Sequence, residues 1–283
     1  AYEMTSSLVG SEMCIRDRCT EIFLLVNRWL YTCRENRIFS SGFRCKDTEK
    51  GERFRGKTNE SGRKMFIDLH MHECTYSKDS HLKLEEIVEL AKKRGLGAVC
   101  ITDHDDMGLK EYAAEYSEKT GFPIFVGIEF FSLQGDIVAF GIEEYPKERV
   151  NAQEFIDLVK AQGGICFSAH PFRNNNRGLE ENLKIVHGLD GVEVLNGSTL
   201  PEANKKAADY AKELGLVTVG SSDCHVREKV GFFATYFPED VYTMEDFMRV
   251  FKSGGCKPAY YWEGEYKIWD METPIHKPFL LKE

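Results

Sequence analysis

The chain has 283 residues, 42% of them apolar, with 37 Lys and Arg against 46 Asp and Glu and a formal charge of −9. That apolar share supports a packed core, and the acidic balance argues against tight non-specific binding to nucleic acid or to anionic membrane surfaces. The longest apolar runs are about five or six residues, far short of the ~20 that span a bilayer. Nine cysteines without paired CxxC spacing suit free thiols in a reducing compartment, so a cytoplasmic protein is expected.

Residues 1–64 carry 13 Lys and Arg against 9 Asp and Glu, whereas residues 65–283 carry 24 against 37. The first stretch shows no sustained period and becomes polar and Gly-rich towards its end, which reads as disorder. Glu12-Met13-Cys14-Ile15-Arg16-Asp17 back-translates to GAG ATG TGT ATA AGA GAC, which resembles a transposase end used in sequencing libraries. Residues 1–64 are therefore expected to be a disordered or adapter-derived extension, with Met65 as the natural start and 65–283 as one catalytic domain.

From Met65 onward the pattern alternates. A strand is expected at 65–72, a helix at 83–94 stopped by Gly95, a strand at 98–103 and a helix at 108–119. Strands at 123–131 and 136–142 follow, then a helix at 151–162, a strand at 164–169 and a helix at 179–187. The remainder reads as strand 191–195, helix 201–214, strand 217–221, a short strand near 232–237, helix 243–252 and a polar tail. Such alternation predicts an α/β fold with a parallel sheet, open or closed into a barrel.

Metal-ligand residues stand at the end of almost every strand. The first ends in His70-Met71-His72, whose i, i+2 spacing sends both imidazoles to one face, with Asp79 in the loop beyond. The second ends in Asp103-His104, and Glu129, His170, Asp223 and His225 close later strands. In a barrel of parallel strands these ends converge. Five histidines and three carboxylates at one place would crowd charge unless cations neutralised it. A mixed imidazole and carboxylate set suits two or three divalent ions of zinc, manganese or iron. His81, His187 and His276 lie outside this pattern and read as ordinary histidines, and Cys100 and Cys166 read as core.

In order, DLHMHECTYSKDS, ITDHD, GIEF, SAHP and GSSDCH resemble the successive motifs of the polymerase and histidinol phosphatase (PHP) superfamily. The resemblance implies a distorted (β/α)7 TIM-like barrel with a dinuclear or trinuclear centre. By motif position His70, His72, Glu129 and Asp223 would hold a first metal, and Glu129 would bridge to a second held also by His170. Asp79, His104 and His225 would hold the third. Family members often carry a His on the strand after GIE; here that strand has none, and Asp136 is the candidate replacement.

Arg173 and Arg177, three and seven residues after His170, are candidates for binding the oxygens of a substrate phosphate. Asp68 and Asp103 read as acceptors that orient ligand imidazoles, and Asp103 is also the candidate general acid. The expected activity is hydrolysis of a small phosphorylated metabolite or nucleotide by a metal-bound hydroxide. The alternatives are an amide or ester hydrolase, a nuclease, and a non-catalytic metal-binding regulatory module.

Overall fold

In the computed structural model, which describes residues 65–273 and 275, the expected alternation runs through Phe237. The expectations for residues 1–64 and for His276 lie outside the described residues. Helix α1 (Leu84–Arg94) illustrates how the pattern works. Leu84, Ile87, Val88 and Ala91 bury one stripe, acidic residues open the helix, basic ones close it, and Gly95 ends it with φ of 79°. Helices α2 (Lys110–Thr120), α3 (Ala152–Ala161), α4 (Pro201–Leu214) and α5 (Met244–Lys252) follow. Pro201 stands in the first turn of α4, where its missing N–H is harmless. Thr243 caps α5 by accepting from the Asp246 amide at 3.1 Å.

The strands form two sheets. The first has the order β11 (Glu265–Ile268), β10 (Lys257–Trp262), β9 (Phe233–Phe237), β1 (Met65–Asp68), β2 (Ala98–Ile101) and β3 (Ile124–Val126). The second runs β4 (Ile128–Phe131), β5 (Asp136–Phe140), β6 (Ile165–Ser168), β7 (Gly191–Asn196) and β8 (Val217–Ser221). Strands β1 to β3 pair in parallel, as do β6 to β8. The expected parallel pairing does not extend to β4–β5–β6 or to β9, β10 and β11, which pair antiparallel. Among the described residues no ladder closes a barrel. The two sheets meet at the isolated backbone pairs Met71–Cys224 and His104–Glu129 and where the Thr235 hydroxyl of β9 bonds the Gly220 backbone of β8.

Three local expectations also change. The strand expected at 123–131 breaks at Gly127, where a Cβ would lie 2.4 Å from the Ala139 carbonyl oxygen. β3 therefore stays with β2, while β4 crosses to the other sheet and carries Glu129 with it. The helix expected at 179–187 is a 3-10 turn, Glu180–Lys184. It is pinned at its start by the Glu180 amide on the Pro171 carbonyl and buries only Leu183, too little to hold a full α-helical stripe. The polar tail contains the β10–β11 hairpin, turning at Glu263 and Gly264 with φ of 50° and 92°, the positive pair of a type I′ turn.

One buried cluster draws alternate residues from both sheets, including Ile67, Leu69, Phe125, Val138, Phe140 and Phe167, and packs them on Phe247 and Phe251 of α5. The sheets thus face each other across a shared apolar core. The rings of Phe140 and Phe247 meet edge to face at 5.0 Å. The polar cluster sits where β1, β2, β4, β6 and β8 end or begin.

Candidate metal centre

Glu129 is the hub. Its Oε1 lies 2.9 Å from His170 Nε2 and 3.4 Å from His70 Nε2. Its Oε2 lies 2.6 Å from His104 Nδ1 and 3.6 Å from His72 Nε2. Asp223 Oδ1 faces His72 Nε2 at 3.3 Å and His70 Nε2 at 3.7 Å. Asp79 closes the outer side, with Oδ2 at 3.2 Å from His104 Nε2 and 3.4 Å from His225 Nε2. Every residue expected to ligate is therefore brought together. His70 and Asp223 have no more than 1% exposure, whereas Asp79 has a side chain 61% exposed.

The imidazoles are oriented from behind. Ser77 Oγ donates to Asp103 Oδ1 at 2.7 Å, which spends its only proton. The 3.2 Å contact between His72 Nδ1 and Ser77 Oγ must then be donated by the ring, leaving the Nε2 lone pair facing Glu129 and Asp223. His70 Nδ1 donates to Glu193 Oε1 at 3.3 Å, with the same consequence. His225 Nδ1 donates to the Asp223 carbonyl at 3.2 Å, so its Nε2 faces Asp79. His70 and His72 thus turn Nε2 towards Glu129 and Asp223, and His225 turns Nε2 towards Asp79, the orientation that acceptors behind the ring impose on metal-binding histidines.

Glu193 on β7 is a buried carboxylate outside the expected set. Its Oε1 accepts from His70 and from the Ser221 hydroxyl, and its Oε2 accepts from the His170 amide at 2.7 Å and Asn196 Nδ2 at 3.0 Å. Asn196 also donates to Asp223 Oδ2 at 3.2 Å. A charged residue inside the otherwise apolar strand GVEVLN was the sequence signal for it.

Asp103 lies behind the centre. Its carboxylate takes the Ser77 hydroxyl and the Glu73 amide, both at 2.7 Å, and is absent from the pocket wall. That position fits orientation of His72 through Ser77 and not proton delivery to a substrate in the pocket. Asp68 holds the turn after β8, accepting from the Ser222 amide at 2.9 Å. His81 and His187 are exposed, and Cys100 and Cys166 are buried in the core.

Burial pushes His72 down to about 3, keeping its ring neutral. Burial acts the same way on His70, but Glu129, Glu193 and Asp223 outweigh it and hold the ring well above its ordinary value. His104, largely stripped of water, which alone would lower it, is paired to Glu129 and Asp79 and rises to about 9. Burial pushes Asp103 up to about 7 against its two hydrogen bonds. His170 and Asp223 both adopt left-handed backbone, with φ of 26° and 49°, a conformation uncommon outside glycine and concentrated where function demands it.

The donor set fits divalent ions. His70 Nε2 and His72 Nε2 are buried atoms without a hydrogen-bond partner among the described residues, and they converge with Glu129 on one place. Three groups each place their donor atoms within 4.8 Å: His70, His72 and Glu129; His72, His104 and His225; and Glu129, Asp136 and His170. Asp136 stands in the third group. A pocket of about 100 Å³ opens onto the cluster and is lined by Asp79, His104, His170, Arg173, Asn175 and Arg177, among others. Arg173 Nη1 binds Asp223 Oδ2 at 2.7 Å, and Arg177 grips Asp136 through Nε at 2.6 Å and Nη2 at 2.9 Å.

A mixed α/β scaffold here gathers histidines and carboxylates at its strand ends into clusters able to hold metal ions. The PHP domain family model matches residues 68–228, and the PHP-associated model matches 201–256. The chain belongs to the PHP family. Two uncharacterised proteins of Methanocaldococcus jannaschii are relatives. One is 29% identical over 142 residues, 47% of this chain and 82% of the relative. The other is 30% identical over 179 residues, 59% of this chain and 68% of the relative. Among solved structures, an amidohydrolase from Chromobacterium violaceum with bound sulfate is 20% identical with a TM-score of 0.52, covering 70% of this chain and 98% of that one. The lesion-specific endonuclease Q of Pyrococcus furiosus is 18% identical with a TM-score of 0.53, covering 69% of this chain and 57% of that one. At such identities the likeness shows a shared fold.

Proposed function

We propose that the chain is a metal-dependent phosphoesterase acting on a small phosphorylated metabolite or nucleotide. One observation carries the reading: two guanidinium groups, Arg173 and Arg177, stand on the wall of the same small pocket as the histidine and carboxylate cluster. Planar guanidinium forks match phosphoryl oxygens. A pocket of about 100 Å³ has room for a phosphoryl group and leaves the rest of a substrate outside. The two sheets, joined at the polar cluster by single backbone pairs, read as a distorted (β/α)7 barrel.

His70, His72, Glu129 and Asp223 would hold one ion, with Glu129 shared with the His170 and Asp136 subsite, and Asp79, His104 and His225 would hold another. Bound zinc, manganese or iron supplies Lewis acidity and water ionised near neutral pH. The protein's own part is to position and to neutralise. Glu193 and Ser77 fix the rings of His70 and His72, and Asp103 fixes Ser77. Arg173 turns from Asp223 towards the phosphoryl oxygens and offsets charge as it develops there. Leaving-group protonation would come from solvent, which reaches the rim beside the exposed Asp79.

No helix among the described residues is long and apolar enough to cross a membrane. The five cysteines described are free thiols, which suits the cytoplasm. Phosphate release by the full chain, loaded with Mn²⁺ or Zn²⁺, tests the reading across phosphomonoesters, nucleotides, cyclic phosphates and short oligonucleotides. Release confined to small phosphorylated substrates and abolished by chelator is expected. Cleavage of oligonucleotides alone would make it a nuclease. Turnover of amides or carboxylic esters without phosphate release would make it a different hydrolase, and no turnover with ions bound would leave a regulatory module.

A further inference from the structure

Asp136 differs from the other carboxylates of the centre in what occupies it. Asp223 gives one oxygen to Arg173 and Asn196 and keeps Oδ1 turned to His70 and His72. Asp136 gives both oxygens to Arg177, in a bidentate pair with Nε on Oδ2 and Nη2 on Oδ1. The Asp136 oxygen nearest His170 Nε2, at 3.7 Å, is the same Oδ2.

Arg177 is built into this place by more than its charge. Its carbonyl accepts from the Asp136 amide at 2.6 Å, so the loop runs alongside the start of β5. That approach requires glycine on both sides: a Cβ on Gly135 would sit 2.5 Å from the Gly178 carbonyl carbon, and one on Gly178 would sit 2.1 Å from the Pro171 oxygen. The guanidinium also lies over the Phe131 ring, 4.4 Å from its centroid, and Arg149 lies over the same ring at 3.6 Å. Backbone pairing, a glycine contact and an aromatic platform together aim the fork at Asp136.

We propose that Arg177 is a resident cation of the His170–Glu129–Asp136 subsite, so that a divalent ion gains an Asp136 oxygen there only in competition with the guanidinium. This subsite then holds its ion most weakly of the three groups, and Arg177 sets how weakly. The inference rests on the reading of the cluster as a metal centre, and not on which bond it hydrolyses.

The test is Co²⁺ and Mn²⁺ binding to the full chain after chelator stripping. Equilibrium dialysis with elemental analysis gives the ions bound, and Co²⁺ absorption reports the ligand field. Arg177→Gln is expected to tighten the most weakly held ion by about tenfold or more, the range in which groups behind a ligand act. Arg173→Gln removes the same charge from the same pocket and is expected to leave that ion's affinity within about threefold, since Asp223 already has Oδ1 free. Asp136→Asn should weaken the same ion whether or not Arg177 is present. Circular dichroism checks that each variant is folded, and Arg177→Lys, which keeps the charge but loses the fork, should tighten the ion less than Arg177→Gln does. Unchanged affinity in folded Arg177→Gln and Arg177→Lys, or equal tightening by Arg173→Gln, would overturn the proposal. Failure of every variant and the parent to bind any ion would instead defeat the metal-centre reading beneath it.

Discussion

The floor and the rim of the centre are built from the same residue types by different means. On the floor, His70, His72, Glu129 and Asp223 are buried, and their free valences are fixed by Glu193, Ser77 and Asn196 behind them. At the rim, Asp79 is exposed and His104 and His225 are about one quarter exposed. A buried unpaired donor is costly, so the floor is organised for a ligand before one arrives. The rim makes ordinary solvent-screened pairs, which are worth little on their own. Ions should therefore be held by the floor and tuned by the rim.

Breaking the floor should have the largest effect. Glu129→Gln removes charge from an atom set shared by four histidines, and more than about a hundredfold loss of metal affinity is expected, measured by competition with a chelator of known affinity. Glu193→Gln should follow, with about a 10- to 100-fold loss. Glu193 is not itself on the pocket wall, so the loss should appear in metal affinity and in the melting temperature of the loaded protein, with KM at saturating metal little changed. Arg173→Ala should raise KM for a phosphorylated substrate by about tenfold or more, as loss of a charge-assisted pair does, with ion stoichiometry unchanged.

Rim changes should be small. Asp79→Asn is expected to weaken the rim ion by less than about tenfold, in keeping with an exposed pair; a loss as large as that of Glu129→Gln would erase the distinction. The rim also sets a pH dependence. His104 rises from 6.5 to about 9 through its pairs with Glu129 and Asp79, against burial. A raised imidazole pKa stabilises the chelated protein below the unfolded value of 6.5 and loses that contribution as pH climbs towards about 9. An ion must displace the same proton, so metal affinity should rise over that window while the stability of the stripped protein falls. Calorimetry in two buffers of different ionisation enthalpy would count the proton released.

Most of the centre was legible because its residues stand at strand ends, where sequence spacing and direction coincide. The i, i+2 spacing of His70 and His72, and of Asp223 and His225, needed no tertiary information. What could not be read was the layer behind. That Ser77 turns Asp103 away from the pocket depends on a loop closing over β2, and that Glu193 reaches His70 depends on β7 lying beside β8. The fold was legible as alternation but not as two sheets, since the crossing at Gly127 is decided by a close approach to Ala139 that no local pattern encodes. The β10–β11 hairpin was missed although Glu263-Gly264 between aromatic residues carries its turn signal. The short turn at 180–184 was overread because its charged residues mimic a helical face while only Leu183 is buried.

The most direct test measures bound ions and phosphate release on one sample of the full chain, stripped and then reloaded stepwise with Mn²⁺ or Zn²⁺. The account predicts no release from stripped protein, release that climbs with ions bound, and loss of both in folded Glu129→Gln. Phosphate release that persists in the stripped protein, or that survives Glu129→Gln, would contradict it.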